Sequence, residues 1–190
     1  DVEFEWAVPE RPINFYIEQH NAGETVDPEL YLGIKPQELV RVDRATDGEL
    51  FRAIDRDALD HVGDVGDRFY FDPEGRTVPT YANYVSLVYD GRKLDDPGTF
   101  EALTADPYAD TLAVPNPAQT NTGLYFLLWT VSRFGESGDY TYLDYWRDLL
   151  DNGTRVVGSW GAMYSQFAEG EVPMVVSYSN DRVYAKRSDS

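Results

Sequence analysis

Asn116-Pro117-Ala118-Gln119-Thr120-Asn121-Thr122-Gly123 runs directly into Leu124-Tyr125-Phe126-Leu127-Leu128-Trp129. Small and polar residues give way to an apolar run, which is typical of a helix start, and Asn121 or Thr122 is predicted to cap the first turn. The first N–H groups of a helix lack intrahelical partners and carry partial positive charge. The residues Thr120, Asn121, Thr122 and Gly123 therefore predict a site for a phosphate or carboxylate, although a capped helix without any ligand has the same pattern.

Composition excludes several classes of protein. The chain has 190 residues, enough for one large domain or two small lobes, and it contains no Cys, so disulfides and thiolate chemistry are excluded. No apolar run reaches the length that a membrane-spanning helix needs. The first six residues, Asp-Val-Glu-Phe-Glu-Trp, are acidic rather than basic and then apolar, so no signal peptide is expected in this chain.

The net charge of −18 comes from 21 Asp and 13 Glu against 13 Arg and 3 Lys. Such a surface repels itself in dilute salt and is tolerated where ions screen it, because the Debye length falls to about 3 Å at molar salt. The composition therefore indicates a protein from a salt-loving organism. It also argues against nucleic acid as a partner, since a polyanion is bound by Lys and Arg.

Periodicity predicts alternating strands and helices, hence an α/β fold with mostly parallel sheets. The predicted strands are Val2–Val8, Leu30–Ile34, Pro79–Asp90, Thr111–Val114, Arg155–Val157 and Met174–Tyr178. The predicted helices are Ile13–Asn21, Pro36–Val42, Asp55–His61, Thr99–Ala105, Tyr140–Asp151 and Gly161–Glu169, together with the capped helix described above. No internal repeat or low-complexity segment is present.

Three loops after predicted strands carry polar and aromatic side chains. The first is Asn116–Gly123, the second places Trp160 between glycines, and the third is Ser177–Asp181, which contains Tyr178 and is followed by Tyr184. Ligands of parallel α/β sheets lie beyond the carboxyl ends of the strands. These loops predict a pocket for a flat ring with an anionic tail, and a cationic ring would gain cation–π attraction. Each aromatic residue could instead belong to the core.

At this point four segments resemble the thiamine-binding subunit of ABC importers, a branch of the two-lobed solute-binding proteins. They are Tyr84–Asp90, Asn116–Trp129, Gly158–Tyr164 and Val175–Tyr184, in family order and at nearly family spacing. The resemblance implies a two-lobed α/β fold and a binding protein that needs no cofactor and is not an enzyme. It further implies that Thr120 binds the phosphate end of a thiamine phosphate, and that Trp160, Tyr178 and Tyr184 pack on or bond to the vitamin.

The resemblance also implies location and partner. A protein of this family lies outside the cytoplasm, at the cell surface or in the periplasm, and delivers its ligand to an ABC permease in the membrane. Here the membrane anchor would belong to a segment absent from this chain. Asp181 is a further candidate ligand contact, because its charge could meet the positive ring.

Two positions depart from the family pattern. Tyr81-Ala82-Asn83-Tyr84 stands where the family has Asp-Tyr-Gly-Tyr, and Lys35 stands where an acidic residue is expected. Tyr81 and Asn83 are candidate ligand contacts by position. A lysine would repel the thiazolium ring but could pair with a phosphate, so the preferred form of the vitamin stays open.

Comparison with the family predicts a chain shortened at both ends. Residues 1–80 would form a partial first lobe, 81–180 the second lobe, and 181–190 the return crossing toward the first lobe. The lobes would close on ligand by bending near Tyr81–Val85 and Ser177–Asp181. Unpaired strand edges in such a chain favour dimerisation.

Three other functions remain open from the sequence. A ferric iron or other anion-binding protein of the same fold is one, although the adjacent tyrosines typical of iron binders are missing, since Tyr178 is followed by Ser179. A carbohydrate-active enzyme could use a carboxylate pair among the 34 acidic residues, and a surface adhesion module is the third. The two histidines, His20 and His61, lie in polar, surface-like segments and suggest no catalytic triad.

Overall fold

The computed structural model describes residues 12–181 and divides into two compact units, with the boundary between Ala82 and Asn83. The predicted strand Val2–Val8 lies outside the described residues. The assignment of the two units to the lobes of a binding protein stays a prediction. Each unit is described below by itself.

The first unit is built on two helices, α1 (Ile13–Asn21) and α2 (Pro36–Thr46). Ile13, Tyr16 and Ile17 of α1 recur at helical spacing and pack with Val42 of α2. Three short 3-10 helices follow at Arg56–Ala58, Val62–Asp64 and Asp67–Phe69. The prediction for α1 is therefore confirmed, and the helix predicted over Pro36–Val42 extends one further turn.

Two predictions for the first unit are wrong. The expected buried strand Leu30–Ile34 is irregular, with Leu30 63% and Leu32 54% exposed. Within this segment, Tyr31 and Ile34 are the residues that pack against the core of α1 and α2. The apolar run therefore reflects the packing of a loop and not a strand. The helix expected over Asp55–His61 is one 3-10 turn, because Asp55 accepts the N–H of Asp57 and no apolar face holds the segment against a core.

A buried ion cluster joins the end of the first unit to α2. The guanidinium of Arg76 donates to both carboxylate oxygens of Asp72 at 3.0 and 3.1 Å, and to both of Asp43 at 2.7 and 3.0 Å. Burial raises the pKa of Asp72, but hydrogen bonds from the Arg76 side chain and backbone outweigh it, so this pKa lies below its usual value. The charges of Asp72 and Arg76 are therefore paired where water is excluded.

The second unit contains a four-stranded sheet and three α-helices. Its strands are β1 (Val85–Tyr89), β2 (Leu112–Pro115), β3 (Arg155–Val157) and β4 (Met174–Tyr178). Its helices are α3 (Asn121–Phe134), α4 (Tyr142–Asp151) and α5 (Trp160–Ala168), with short 3-10 helices at Glu101–Thr104 and Asp106–Tyr108. None of the helices within residues 12–181 is long and apolar enough to cross a membrane.

The strand order is β1-β4-β2-β3, in which β4 pairs antiparallel with β1 and parallel with β2, and β2 pairs parallel with β3. Successive strand residues point to opposite faces of the sheet, and helices pack on both faces. Leu112, Val114, Met174 and Val176 pack with Phe126 of α3 and with α4. Ala113 and Val175 instead pack with Met163 of α5. The predicted α/β fold with a mixed, mostly parallel sheet flanked by helices is confirmed.

Several predicted boundaries in the second unit are wrong. The segment Thr99–Ala105 contains only a 3-10 helix of four residues, Glu101–Thr104, because the backbone is already extended at Ala105. Pro79–Tyr84 is irregular, so the first strand begins only at Val85. The remaining predicted elements, including Tyr140–Asp151 and Gly161–Glu169, agree with the structure to within two residues.

Gly123 allows the first turn of α3 to lie directly on the backbone at the end of β2. A Cβ atom built on Gly123 would lie 2.0 Å from the carbonyl oxygen of Pro115 and 2.8 Å from the carbonyl carbon of Asn116. Both of these atoms are backbone, so they cannot rotate away. The glycine is required by close approach and not by a left-handed backbone.

We expect Gly123→Ala to lower the free energy of unfolding of the second unit by about 1–3 kcal/mol, the usual cost of overpacking. The measurement is urea unfolding in molar salt, followed by tryptophan fluorescence. Gly161→Ala is the matched control, because a Cβ there meets nothing within 4 Å and alanine favours a helix. Equal stability of the two variants would contradict the close contact.

We expect Asp72→Asn to destabilise the first unit at pH 7 by about 3 kcal/mol, because it removes one partner of a buried pair. The folded pKa of Asp72 lies below the unfolded one, so its charge stabilises above pH 4 and the effect is lost as pH falls through the folded pKa. The difference in the free energy of unfolding between wild type and variant should therefore become smaller below pH 4. Hydrogen exchange of the backbone amides of residues 12–82 measures this difference. Asp47→Asn, at an exposed left-handed position that Asn tolerates, is the control.

Candidate functional site

The candidate site lies at one edge of the sheet in the second unit. The parallel strands β2, β3 and β4 all end there, and the antiparallel strand β1 begins there. The N–H of Ser179, just after β4, donates to the carbonyl of Tyr84, just before β1, at 2.8 Å. Helices α3 and α5 both start at this edge, so two helix N-termini with partial positive charge lie at the same side of the sheet.

Thr120 caps α3, and the predicted caps Asn121 and Thr122 are wrong. Thr120 has extended backbone (φ −133°, ψ 144°), and its hydroxyl accepts the N–H of Gly123 at 3.1 Å while donating to the carbonyl of Asn116 at 2.9 Å. The carbonyl of Asn116 also accepts the backbone N–H of Thr120. This compact turn starts the helix one residue earlier than the polar run suggests.

The other polar groups at the start of α3 differ in whether they have a hydrogen-bond partner among residues 12–181. The hydroxyl of Thr122 is buried and donates to the hydroxyl of Tyr178 at 2.9 Å. No acceptor among residues 12–181 takes the backbone N–H of Asn121 or of Thr122. Asn121 is exposed whereas Thr122 is 2% exposed, so the N–H of Asn121 is the accessible donor that α3 offers at this edge.

The start of α5 repeats this arrangement beside α3. Ser159 caps the helix, and its hydroxyl accepts the N–H of Ala162 at 3.2 Å. The two loops are neighbours, since the N–H of Asn116 donates to the carbonyl of Val157 at 2.8 Å and the amide oxygen of Gln119 lies 3.5 Å from where a Cβ of Gly158 would be. Trp160 is therefore held next to the start of α3.

Three aromatic side chains form a corner at the start of α5. The rings of Trp160 and Tyr164 are stacked, with centroids 4.9 Å apart and planes inclined by 23°. Tyr178 lies 6.2 Å from Trp160, tilted by 46°. The indole N–H of Trp160 donates to the hydroxyl of Ser177 at 2.8 Å, and Ser177 is fully buried in β4. We call Trp160, Tyr164 and Tyr178 the aromatic corner.

Asp181 places a negative charge beside the aromatic corner. Its carboxylate is 5% exposed and accepts the backbone N–H of Tyr178 at a long 3.3 Å. Burial raises the pKa of Tyr164, and the negative charge of Asp181 raises it further. Among residues 12–181 this long contact is the one hydrogen bond found for the Asp181 carboxylate, and a buried carboxylate with few partners favours an incoming cation.

The structure brings together most of the residues that the sequence singled out. Thr120, Asn121, Thr122, Gly123, Trp160, Tyr178 and Asp181 all lie at this edge. Asn83 is exposed and precedes the start of β1, whereas Tyr81 belongs to the first unit and is 79% exposed. Tyr184 lies outside the described residues, as does most of the predicted return crossing 181–190.

Sequence reasoning missed the contacts that support the aromatic residues. The predicted strand Met174–Tyr178 is confirmed as β4, and its last two residues, Ser177 and Tyr178, point to opposite faces of the sheet. That alternation could have placed Ser177 beneath α5 and Tyr178 beside α3. The i, i+4 spacing of Trp160 and Tyr164 on one helix was likewise available as a signal for their stacking.

Comparison with known families and proteins adds a second line of inference. Residues 40–188 match the model of the family described as bacterial extracellular solute-binding protein. The chain belongs to this family. A crystal structure of an ABC transporter from Clostridium perfringens ATCC 13124 aligns over 87% of this solute-binding protein and 61% of that chain, with a TM-score of 0.56 at 14% identity. This likeness supports the fold alone.

Two curated relatives carry the same printed description, thiamine-binding periplasmic protein. The one from Brucella abortus biovar 1 (strain 9-941) is 32% identical over 109 residues, which is 56% of this solute-binding protein and 31% of the relative. The one from Escherichia coli (strain K12) is 27% identical over 108 residues, which is 56% of this chain and 32% of the relative. The match thus spans about a third of the length of each relative.

We expect Thr120→Ala to lower the free energy of unfolding by about 1 kcal/mol, because it removes the cap of α3. Thr120→Ser should keep the stability of the wild type, since the serine hydroxyl can make the same two hydrogen bonds. Urea unfolding without ligand measures both variants. A wild-type stability for Thr120→Ala would contradict the capping role.

Proposed function

We propose that this chain binds thiamine or a thiamine phosphate as the solute-binding component of an ABC importer. It would do so outside the cytoplasm, and it would pass the vitamin to a membrane permease without catalysing a reaction. One observation carries the proposal: two helix N-termini, an aromatic corner and a buried carboxylate converge on one sheet edge. The description of the two curated relatives supports the choice of ligand.

The start of α3 suits the phosphate or hydroxyl end of the vitamin. The N–H groups of Asn121 and Thr122 have no acceptor among residues 12–181 and lie at a helix N-terminus, where an anion is stabilised. The single hydroxyl proton of Thr120 is already donated to Asn116, so Thr120 contributes by presenting these N–H groups rather than by donating to phosphate. Gly123 acts with it by allowing the turn to lie close to β2.

The aromatic corner and Asp181 suit the ring end. Thiamine carries a permanently charged thiazolium ring, and the face of Trp160 attracts a cation by about 0.5–2 kcal/mol. Asp181 supplies a nearby negative charge that water screens poorly. Charge at the two ends of the site is therefore opposite in sign, as a thiamine phosphate requires. Tyr184, Tyr81 and Asn83 stay proposed contacts on the strength of the family resemblance.

Ferric iron is the second candidate ligand, within the same fold. Among residues 12–181 no three His, Asp or Glu side chains lie together in a way that could hold a metal ion. The site that the second unit does contain combines backbone N–H groups with aromatic faces, which favours an organic ion over a metal. Iron therefore serves as the comparison ligand in the test.

We expect thiamine and thiamine phosphate to quench the tryptophan fluorescence of the chain saturably in molar salt, and Fe³⁺ to give no such response. Trp160→Ala should abolish the quenching or weaken the affinity at least about tenfold, because it removes a stacking face. The measurement is a fluorescence titration, repeated by calorimetry so that affinity does not depend on the lost fluorophore.

Trp129→Ala is the matched control. It also removes one tryptophan, but Trp129 lies on α3 against Phe100 and is 44% exposed. Its affinity for thiamine should equal that of the wild type. A visible iron complex with no response to thiamine would replace the proposed ligand, and equal affinities of the two alanine variants would move the ligand away from the aromatic corner.

A further inference from the structure

The hydrogen bond beneath Trp160 links the aromatic corner to the interior of the sheet. Ser177 is fully buried and lies on the α5 face of β4, where its hydroxyl accepts the indole N–H at 2.8 Å. A tryptophan on the first turn of a helix has several rotamers available, and a single hydrogen bond to a fixed acceptor selects among them. The acceptor here is fixed because it belongs to a strand paired on both sides.

The stacking of Trp160 on Tyr164 leaves only one face of the indole for a ligand. One face of the indole is covered by Tyr164, four residues further along α5, with centroids 4.9 Å apart. A flat ligand can therefore stack only on the other face. Rotation of the indole away from Ser177 would break the stack and redirect that face.

From these contacts we propose that Ser177 is a positioning residue of the site, which sets the ligand affinity by fixing the indole of Trp160 without touching the ligand. The inference rests on the proposed function, because the affinity it concerns is that for thiamine. A rigid aromatic surface binds more tightly than a mobile one, since less conformational freedom is lost when the ligand arrives.

Ser86, on the neighbouring strand, is a matched control for Ser177. Ser86 of β1 is the direct partner of Ser177 in the antiparallel register, so both side chains point to the α5 face. No side-chain hydrogen bond of Ser86 is found among the described residues. Ser86→Ala thus makes the same chemical change, on the same sheet face, without disturbing Trp160.

The test is a double-mutant cycle of Ser177→Ala and Trp160→Phe, with thiamine affinity measured by calorimetry on the whole chain. Phenylalanine keeps an aromatic face but has no N–H to donate. Ser177→Ala should raise the Kd about 2–10-fold beside Trp160, the usual effect of one hydrogen bond, and less than about twofold in the W160F background. Ser86→Ala should leave the Kd unchanged.

A readout without ligand accompanies the cycle. In the wild type the indole N–H of Trp160, identified by its absence from the spectrum of W160F, should exchange slowly with solvent, and in Ser177→Ala it should exchange at least about tenfold faster because its acceptor is gone. Should Ser177→Ala fail to fold, Ser177→Cys replaces it in the cycle, because the thiol is close in size and is a much weaker acceptor for the indole N–H.

The outcomes separate the two proposals. Wild-type binding that is lost in Trp160→Ala, with equal effects of Ser177→Ala in both backgrounds, leaves the proposed function standing and overturns the role of Ser177. An unchanged Kd in Ser177→Ala overturns it as well. A wild type that does not respond to thiamine overturns the proposed function first and the inference with it.

Discussion

The candidate site depends on the contact between the first turn of α3 and the backbone at the end of β2. A Cβ atom at position 123 would lie 2.0 Å from the carbonyl oxygen of Pro115, so any side chain there would force the helix outward. The Thr120 cap, the buried Thr122 and its hydrogen bond to Tyr178 all follow from this close approach. One missing methyl group thus positions the helix N-terminus relative to three strand ends.

The position of the charges follows from the same geometry. Helix dipoles make the start of α3 and α5 electropositive, and the net charge of −18 makes the molecule as a whole strongly negative. An anionic group therefore meets long-range repulsion and local attraction, and molar salt weakens the former more than the latter, because buried or short-range interactions are screened less. For the ligand proposed above, salt should therefore matter differently at the phosphate than at the cationic ring, which Asp181 would attract.

Sequence reasoning predicted the second unit well and the first unit poorly, for a physical reason. In β2, β4 and α3 the periodic apolar residues lie in the core between the sheet and the helices, so the elements predicted from the apolar pattern are the ones found in the structure. At Leu30–Ile34 and Asp55–His61 the apolar residues meet only one small helix pair or solvent, and the pattern carries no information about a partner. The site residues could be found from strand ends, and alternation along β4 separates the face of Ser177 from that of Tyr178. The hydrogen bond from Trp160 to Ser177 could not be predicted, because it depends on how α5 packs over that face. The cap at Thr120 was missed because three consecutive polar residues are all good caps, and the tertiary contact of Gly123 selects among them.

The order of the strands has a consequence for how the second unit forms. β4 is the last of the strands within residues 12–181, yet it lies between β1 and β2, and Val85 pairs with Tyr178, 93 residues further along the chain. Among the described strands β1 pairs only with β4, so this pairing cannot form until β4 has been synthesised and the sheet is closed by a long-range contact. Slow closure leaves the edge of β1 unpaired for longer, and an unpaired edge is where strands of two chains associate before folding is complete.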